Sequence, residues 1–226
     1  MAIASRSDHR SLRLAVALPV LLFLAYGIWS TPGLVARWDV PPVALLGLVL
    51  WIPLAAGPLL LARRAPIAVT ACVMAAIAIG LRIAAAVLVG VRTPPGDAHY
   101  YLVLAHNLMA GRGFVVFEPF MGVETRALFP PLYPMLLALW GWAGGLSIAS
   151  VTAFGAVIDL ATAAAIVAFA EALGNRRAGI AAAWLYIVWP PVLMSAPLAQ
   201  KEGLCALLAL VLALQWMPYA LSLIHI

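Results

Sequence analysis

RTPPGDAHYYLVLAHNLMAGRGFVVFEPFMGVETRALFPP, residues 92–131, is the stretch whose reading decides the fold. It holds two of the four histidines, three of the eight acidic residues and a cluster of aromatics. The sequence on either side is almost continuously apolar. A long loop between such segments is either functional or disordered, and the aromatics and helix signals inside this one argue for order. Pro94, Pro95 and Gly96 stop the preceding run, and Asp97 stands where a helix N-cap belongs. Tyr101, Leu104, Ala105 and Leu108 then recur at i, i+3, i+4 and i+7, an amphipathic helical face. Gly111 and Gly113 end the helix. The expectation is a helix lying along a membrane surface, with Asp97 at its start beside the bilayer.

The flanks supply the membrane. Of the 226 residues 66% are hydrophobic and 9% charged, and the mean hydropathy is +1.09. Such a composition excludes a soluble globular domain and reads as an integral membrane protein. Apolar runs at residues 14–35, 43–62, 67–91, 147–173, 178–194 and 203–220 approach the ~20 residues a membrane helix needs. The run at 132–145 is shorter, and charge decides its role. Basic residues concentrate in cytoplasmic loops. If 132–145 does not cross, Arg6, Arg10, Arg13, Arg63, Arg64, Arg176 and Arg177 face the cytoplasm with only Asp8 and Glu171. The outer side then balances Arg37, Arg92, Arg112, Arg126 and Lys201 against Asp39, Asp97, Glu118, Glu124 and Glu202. The whole formal charge of +5 falls inside. The expected fold is therefore an all-α polytopic membrane protein of about six transmembrane helices. A cytoplasmic basic tail (1–13) and an N-terminal helix hairpin (14–64) precede a membrane domain (65–220), whose outer loop (92–146) carries juxtamembrane amphipathic helices.

Arg82 and Asp159 lie inside apolar runs, each roughly 15–18 Å from the outer end at 1.5 Å per residue. Charges in a bilayer are costly and usually paired; the readings open here are that the two pair, that Arg82 lines a polar cavity, or that each faces water or another partner. Cys72 and Cys205 read as small core residues rather than a disulfide or metal pair. His99 and His106 are seven apart on one helix with no third ligand evident, so no metal site and no cofactor are expected. The last six residues, LSLIHI, can be back-translated as CTGTCTCTTATACACATC, a transposon-end adaptor. Residues 221–226 are expected to be a sequencing-adaptor artefact, and the chain an N-terminal fragment that is inactive by itself.

The patterns GDAHYYLVLAHNLMAGRGF and RALFPPLYPMLLALWG resemble the first outer loop of the GT-C glycosyltransferases. The resemblance is strongest to the branch holding the dolichyl-phosphate-mannose protein mannosyltransferases and the lipid A aminoarabinose transferase. GNRRAGIAAAWLYIVWPPVLMSAPLAQKEGLCALLALVLAL resembles the next block of that branch, where two spans meet at a short outer loop carrying an acid. The likeness runs over about residues 78–215. It departs where Asp97 is followed by Ala98 rather than a second acid, and where a hairpin precedes the loop.

The resemblance implies an enzyme that moves a sugar from a polyprenyl-phosphate donor to an acceptor hydroxyl of a glycan, lipid or protein. The bacterial inner membrane is the expected location, with the multi-pass topology and cytoplasmic N-terminus that the apolar runs and basic residues give. Asp97 matches the catalytic acid, Arg126 the basic position that would hold phosphate, and Glu202 the acid of the later loop. His99, Tyr100 and Glu124 would help line the substrate cleft. Other readings stay open: Asp97 as a helix cap, Arg126 as a snorkelling interface residue, Glu202 as a solvated loop charge. A separate argument favours a lipid-linked donor. The polar cluster faces away from the cytoplasm, where nucleotide sugars are made, and no Gly-rich phosphate loop occurs. No nucleic-acid partner is expected; the lipid bilayer is. The alternatives are a secondary transporter, whose ionisable groups sit near the midplane on broken helices, and a non-catalytic membrane assembly subunit.

Overall fold

The computed structural model describes residues 42–61, 65–89, 96–118, 122–126 and 129–224. The basic tail, the first apolar run, Arg37, Arg63, Arg64 and residues 90–95 lie outside the described residues. The chain divides into two compact units, residues 1–53 and 54–226, and the second contains the hydrophobic core.

The described helices are α1 (Pro42–Leu61), α2 (Ile67–Val89), α3 (Asp97–Met109), α4 (Leu132–Gly144), α5 (Ile148–Ala172), α6 (Arg176–Val188), α7 (Pro190–Ser195) and α8 (Glu202–Ile224). Between α3 and α4, strands β1 (Val115–Glu118) and β2 (Val123–Arg126) form an antiparallel hairpin with Val115 opposite Arg126 and Glu118 opposite Val123. The chain is mostly helical, but the hairpin corrects the all-α expectation. VVFE and VETR are β-branched-rich segments around a turn at Gly122, and such residues suit an extended backbone.

Residues 68–87 of α2 and 148–172 of α5 make two helices long and apolar enough to cross a membrane. Their large side chains Val69, Ile79, Ile83, Val87, Val157 and Leu160 are exposed, a disposition that suits lipid contact. The expectation that Cys72 and Cys205 are core residues is corrected too: both are free thiols on exposed positions of apolar helices.

The core of the second unit is built on α5, which packs along α6 and α8 and meets α2. Its start is capped by Ser147, whose Oγ accepts from the Ser150 N–H at 3.2 Å. At its end Gly174 takes φ 79°, Gly174 N donates to Glu171 O and Asn175 N to Ala170 O, the double bond of a Schellman turn. Asn175 then caps α6 by accepting from Ala178 N at 3.1 Å. Two adjacent caps make this reversal tight.

The run expected as one span over 178–194 is two helices. Pro190 cannot continue α6, and it forces Trp189 into extended backbone, φ −64° and ψ 125°. α4 coincides with the expected short run. It packs mainly along α3 and touches α5 near the start, where Trp140 Nε1 donates to Ser150 O at 3.0 Å. The apolar face of α3 is therefore spent on protein: Tyr101, Leu104 and Ala105 are buried, and Leu108 packs against the same core. Periodicity alone puts that face against the bilayer; α4 takes it instead.

Candidate functional site

The site forms where the start of α3 meets the start of α8. Gly96 precedes α3 with φ 67°, a left-handed turn that glycine adopts without steric cost. Gly96, not Asp97, occupies the cap position, and the Asp97 carboxylate makes no capping hydrogen bond. Asp97 becomes the first helical residue instead, and its side chain is 61% exposed. A carboxylate there gains from the helix dipole while remaining free to meet other groups.

The group it meets is Lys201. Between α7 and α8 the chain turns through Ala199, a fully buried residue with φ 52°. Left-handed backbone at a residue with a Cβ is uncommon and costs roughly 1–2 kcal/mol. The turn sends Lys201 back across the start of α3. Its Nζ donates to Tyr101 Oη at 2.6 Å and to Asp97 Oδ2 at 3.4 Å, and lies 5.3 Å from the centroid of the Tyr101 ring. The Tyr101 oxygen above all, with Asp97 adding, holds the ammonium above the usual lysine value against the opposing effect of burial.

Below this polar mouth lies an aromatic tier. Tyr100 stacks on Phe129 at 5.0 Å, while Tyr101 meets Phe129 edge-on at 5.4 Å and Tyr133 at 5.3 Å. Tyr133 and Trp140 each lie 5.8 Å from Phe154 of α5. The FPPLYP segment supplies both Phe129 and Tyr133, so it closes over the tyrosines of α3. Burial first, then the Glu202 carboxylate, push the Tyr133 phenol above its ordinary value.

The other residues singled out from sequence are placed unevenly. His99 is exposed, its ring edge-to-face with Tyr100 at 5.7 Å. Partial burial and a hydrogen bond to Glu118 raise the Tyr100 phenol, with a smaller push from Asp97. Glu202 is the first residue of α8, exposed and next in chain to Lys201. Arg126 and Glu124 stand exposed on β2, opposite Val115 and Phe117. Among the described residues Arg126 makes no ion pair with Asp97.

A second polar cluster lies deeper. Arg82 Nη2 donates to Asp159 Oδ2 at 2.8 Å, so the expected pair forms, with both residues buried. Tyr186 Oη donates to Asp159 Oδ1 at 3.2 Å, and Arg82 Nη1 reaches the carbonyl oxygens of Ala78 and Ile187. The cluster joins α2, α5 and α6. Gly203 of α8 closes over it: a Cβ there would lie 3.2 Å from Asp159 Oδ1. Arg82 also borders a cavity of about 610 Å³ between α2 and α5, but its walls are apolar, with Ile79, Ile83, Val87, Ala149 and Ala153 among them.

Sequence reasoning passes over three residues of the mouth. Lys201 counts there only as an outer charge, yet it is the chain's single lysine and sits in a short loop beside an acid. Tyr101 reads only as part of an apolar face. Glu118 reads as a loop charge; it is buried, and strand alternation in VVFE puts it on one face with buried Val116. Among the described residues no three His, Cys, Asp or Glu side chains group to hold a metal ion. No protein-family model, no curated protein and no solved structure matches this chain.

Proposed function

We propose that this chain belongs to a membrane glycosyltransferase that moves a sugar from a polyprenyl-phosphate donor to an acceptor hydroxyl at the outer membrane face. On this reading the chain has six spans and a cytoplasmic N-terminus, and α3, the hairpin and α4 lie outside. The observation that carries the reading is the meeting of Asp97 with Lys201, 104 residues away in sequence, at an exposed mouth over a buried aromatic tier. An inverting transfer needs a carboxylate at such a mouth. Asp97 takes the proton of the acceptor hydroxyl as its oxygen bonds to the sugar's anomeric carbon. The bond from that carbon to the phosphate oxygen breaks, and its electron pair leaves on the phosphate. Cations near that oxygen stabilise the charge it gains. Tyr100 and His99 line the mouth beside Asp97, and Glu202 borders it from α8. Asp97→Asn in the full-length protein, assayed for sugar release from a panel of polyprenyl-phosphate sugars, is expected to abolish transfer. Retained transfer would sink the catalytic assignment and favour an assembly subunit.

A second reading rests on the deeper cluster. A buried Arg82/Asp159 pair beside a helix broken at Pro190 has the makings of a transporter site. That reading expects Asp159→Asn to stop substrate uptake into proteoliposomes while Asp97→Asn leaves uptake intact.

A further inference from the structure

An ammonium has three hydrogens to give. Among the described residues Lys201 directs one at Tyr101 Oη and one at Asp97 Oδ2, and its side chain is 33% exposed. The two bonds are unequal. At 2.6 Å the phenol anchors the ammonium; at 3.4 Å the carboxylate holds it loosely, at the outer limit for such a bond. The buried left-handed turn at Ala199 aims the lysine at this place, and strained backbone persists where the surrounding structure over-determines it. The result is a cation tethered at its root, with one open hydrogen and one exchangeable partner. Arg126 stands on the hairpin without such a link to Asp97.

We propose that Lys201 is the anion-binding residue of this mouth: it takes a phosphate oxygen of a lipid phosphate on its open hydrogen, and its charge moves from Asp97 toward the phosphate as the ligand seats. The proposal rests on the glycosyltransferase reading for its consequence, though not for its test. In that reaction the shift would unmask Asp97 as a base and place the cation beside the oxygen that gains charge. Asp97, and Glu202 next to Lys201 in the chain, oppose an anion here, so free phosphate binds weakly and the lipid tail supplies the rest. Removing the negative charge at Asp97 should therefore tighten binding, the opposite sign from its effect on transfer.

The test is the affinity of the full-length protein in nanodiscs for a long-chain polyprenyl phosphate, with polyprenol and inorganic phosphate as the separate arms. Loss of a charge-assisted hydrogen bond is worth about a tenfold change in Kd, so Lys201→Met should weaken polyprenyl-phosphate binding by about tenfold or more. Lys201→Arg should restore most of it, and Asp97→Asn should tighten it. Polyprenol should bind poorly in every variant, and inorganic phosphate should compete only at high concentration. Amine-reactive labelling of the wild-type protein, read by mass spectrometry on the peptide carrying Lys201, avoids any folding defect: polyprenyl phosphate should slow labelling and polyprenol should not. Lys201→Met binding within about twofold of wild type would overturn the proposal. So would equal affinity for polyprenol and polyprenyl phosphate, or unprotected labelling. Transfer surviving in Asp97→Asn while binding still depends on Lys201 would leave this proposal standing and remove the catalytic one.

Discussion

Two of the carboxylate–cation pairs among the described residues, Arg82–Asp159 and Lys201–Asp97, differ in depth, length and surroundings. Arg82 and Asp159 meet at 2.8 Å with side chains 9% and 2% exposed, and Tyr186 occupies the second carboxylate oxygen. Lys201 and Asp97 meet at 3.4 Å with side chains 33% and 61% exposed. The first pair joins two helices, with Tyr186 adding a third, and has little freedom to exchange partners. The second joins two helix starts and leaves both partners open to a ligand. Burial makes a broken pair expensive, because the survivor stays charged without water; exposure makes it cheap. Depth therefore suits the inner pair to architecture and, on the proposed function, the outer pair to chemistry.

The largest effect should come from breaking the inner pair on one side only. Arg82→Met strands Asp159 and is expected to cost about 3–5 kcal/mol, read as a lower melting temperature and yield in detergent. Replacing both partners, as Arg82→Met with Asp159→Leu, should recover most of that loss. A single variant melting like wild type would remove the inner pair from the architecture. At the outer pair the ranking reverses between activity and stability. On the proposed function, Asp97→Asn should lower sugar transfer by roughly a hundredfold or more, while unfolding changes by less than about 1 kcal/mol, because Asp97 caps no backbone group and only its helix-dipole and loose Lys201 interactions are lost.

Gly155→Ala probes the link between the two regions. A Cβ on Gly155 of α5 would lie 2.7 Å from Cα of Ala196, backbone that cannot yield as a side-chain tip can. Overpacking there should cost about 1–3 kcal/mol and displace the turn that aims Lys201, so transfer should fall with stability. The smallest effect is a pH dependence. Lys201 is raised in the folded protein, so its contribution is fully present below the ordinary lysine value of 10.5 and lost as pH rises through the folded value. The melting-temperature gap between wild type and Lys201→Met should accordingly be constant near neutrality and close in strong alkali.

Much of the local structure was legible. The runs at 132–145 and 147–173 became α4 and α5 with boundaries close to those expected, because length, hydropathy and the Ser147 cap are local signals. The break at Pro190 was legible in principle, since the residue before a proline disfavours helix, but apolar continuity masked it. The cap at Asp97 was misplaced by one residue because residue type suggested Asp while the backbone turn needed Gly96. Lys201 was invisible as a site residue for another reason: its partners lie 104 and 100 residues away in the chain.

By itself the sequence determined an apolar helical chain, the place of its one long polar interruption, and the charges Arg82 and Asp159 set within its apolar runs. These follow from hydropathy, periodicity and the cost of charge in a bilayer, all of which act within a few turns of chain. Only the tertiary structure decided that α3 turns its apolar face to α4, that Lys201 rather than Arg126 reaches Asp97, and that Arg82 closes on Asp159 with Tyr186. Those choices depend on which helices pack together, and packing joins residues that no local rule relates.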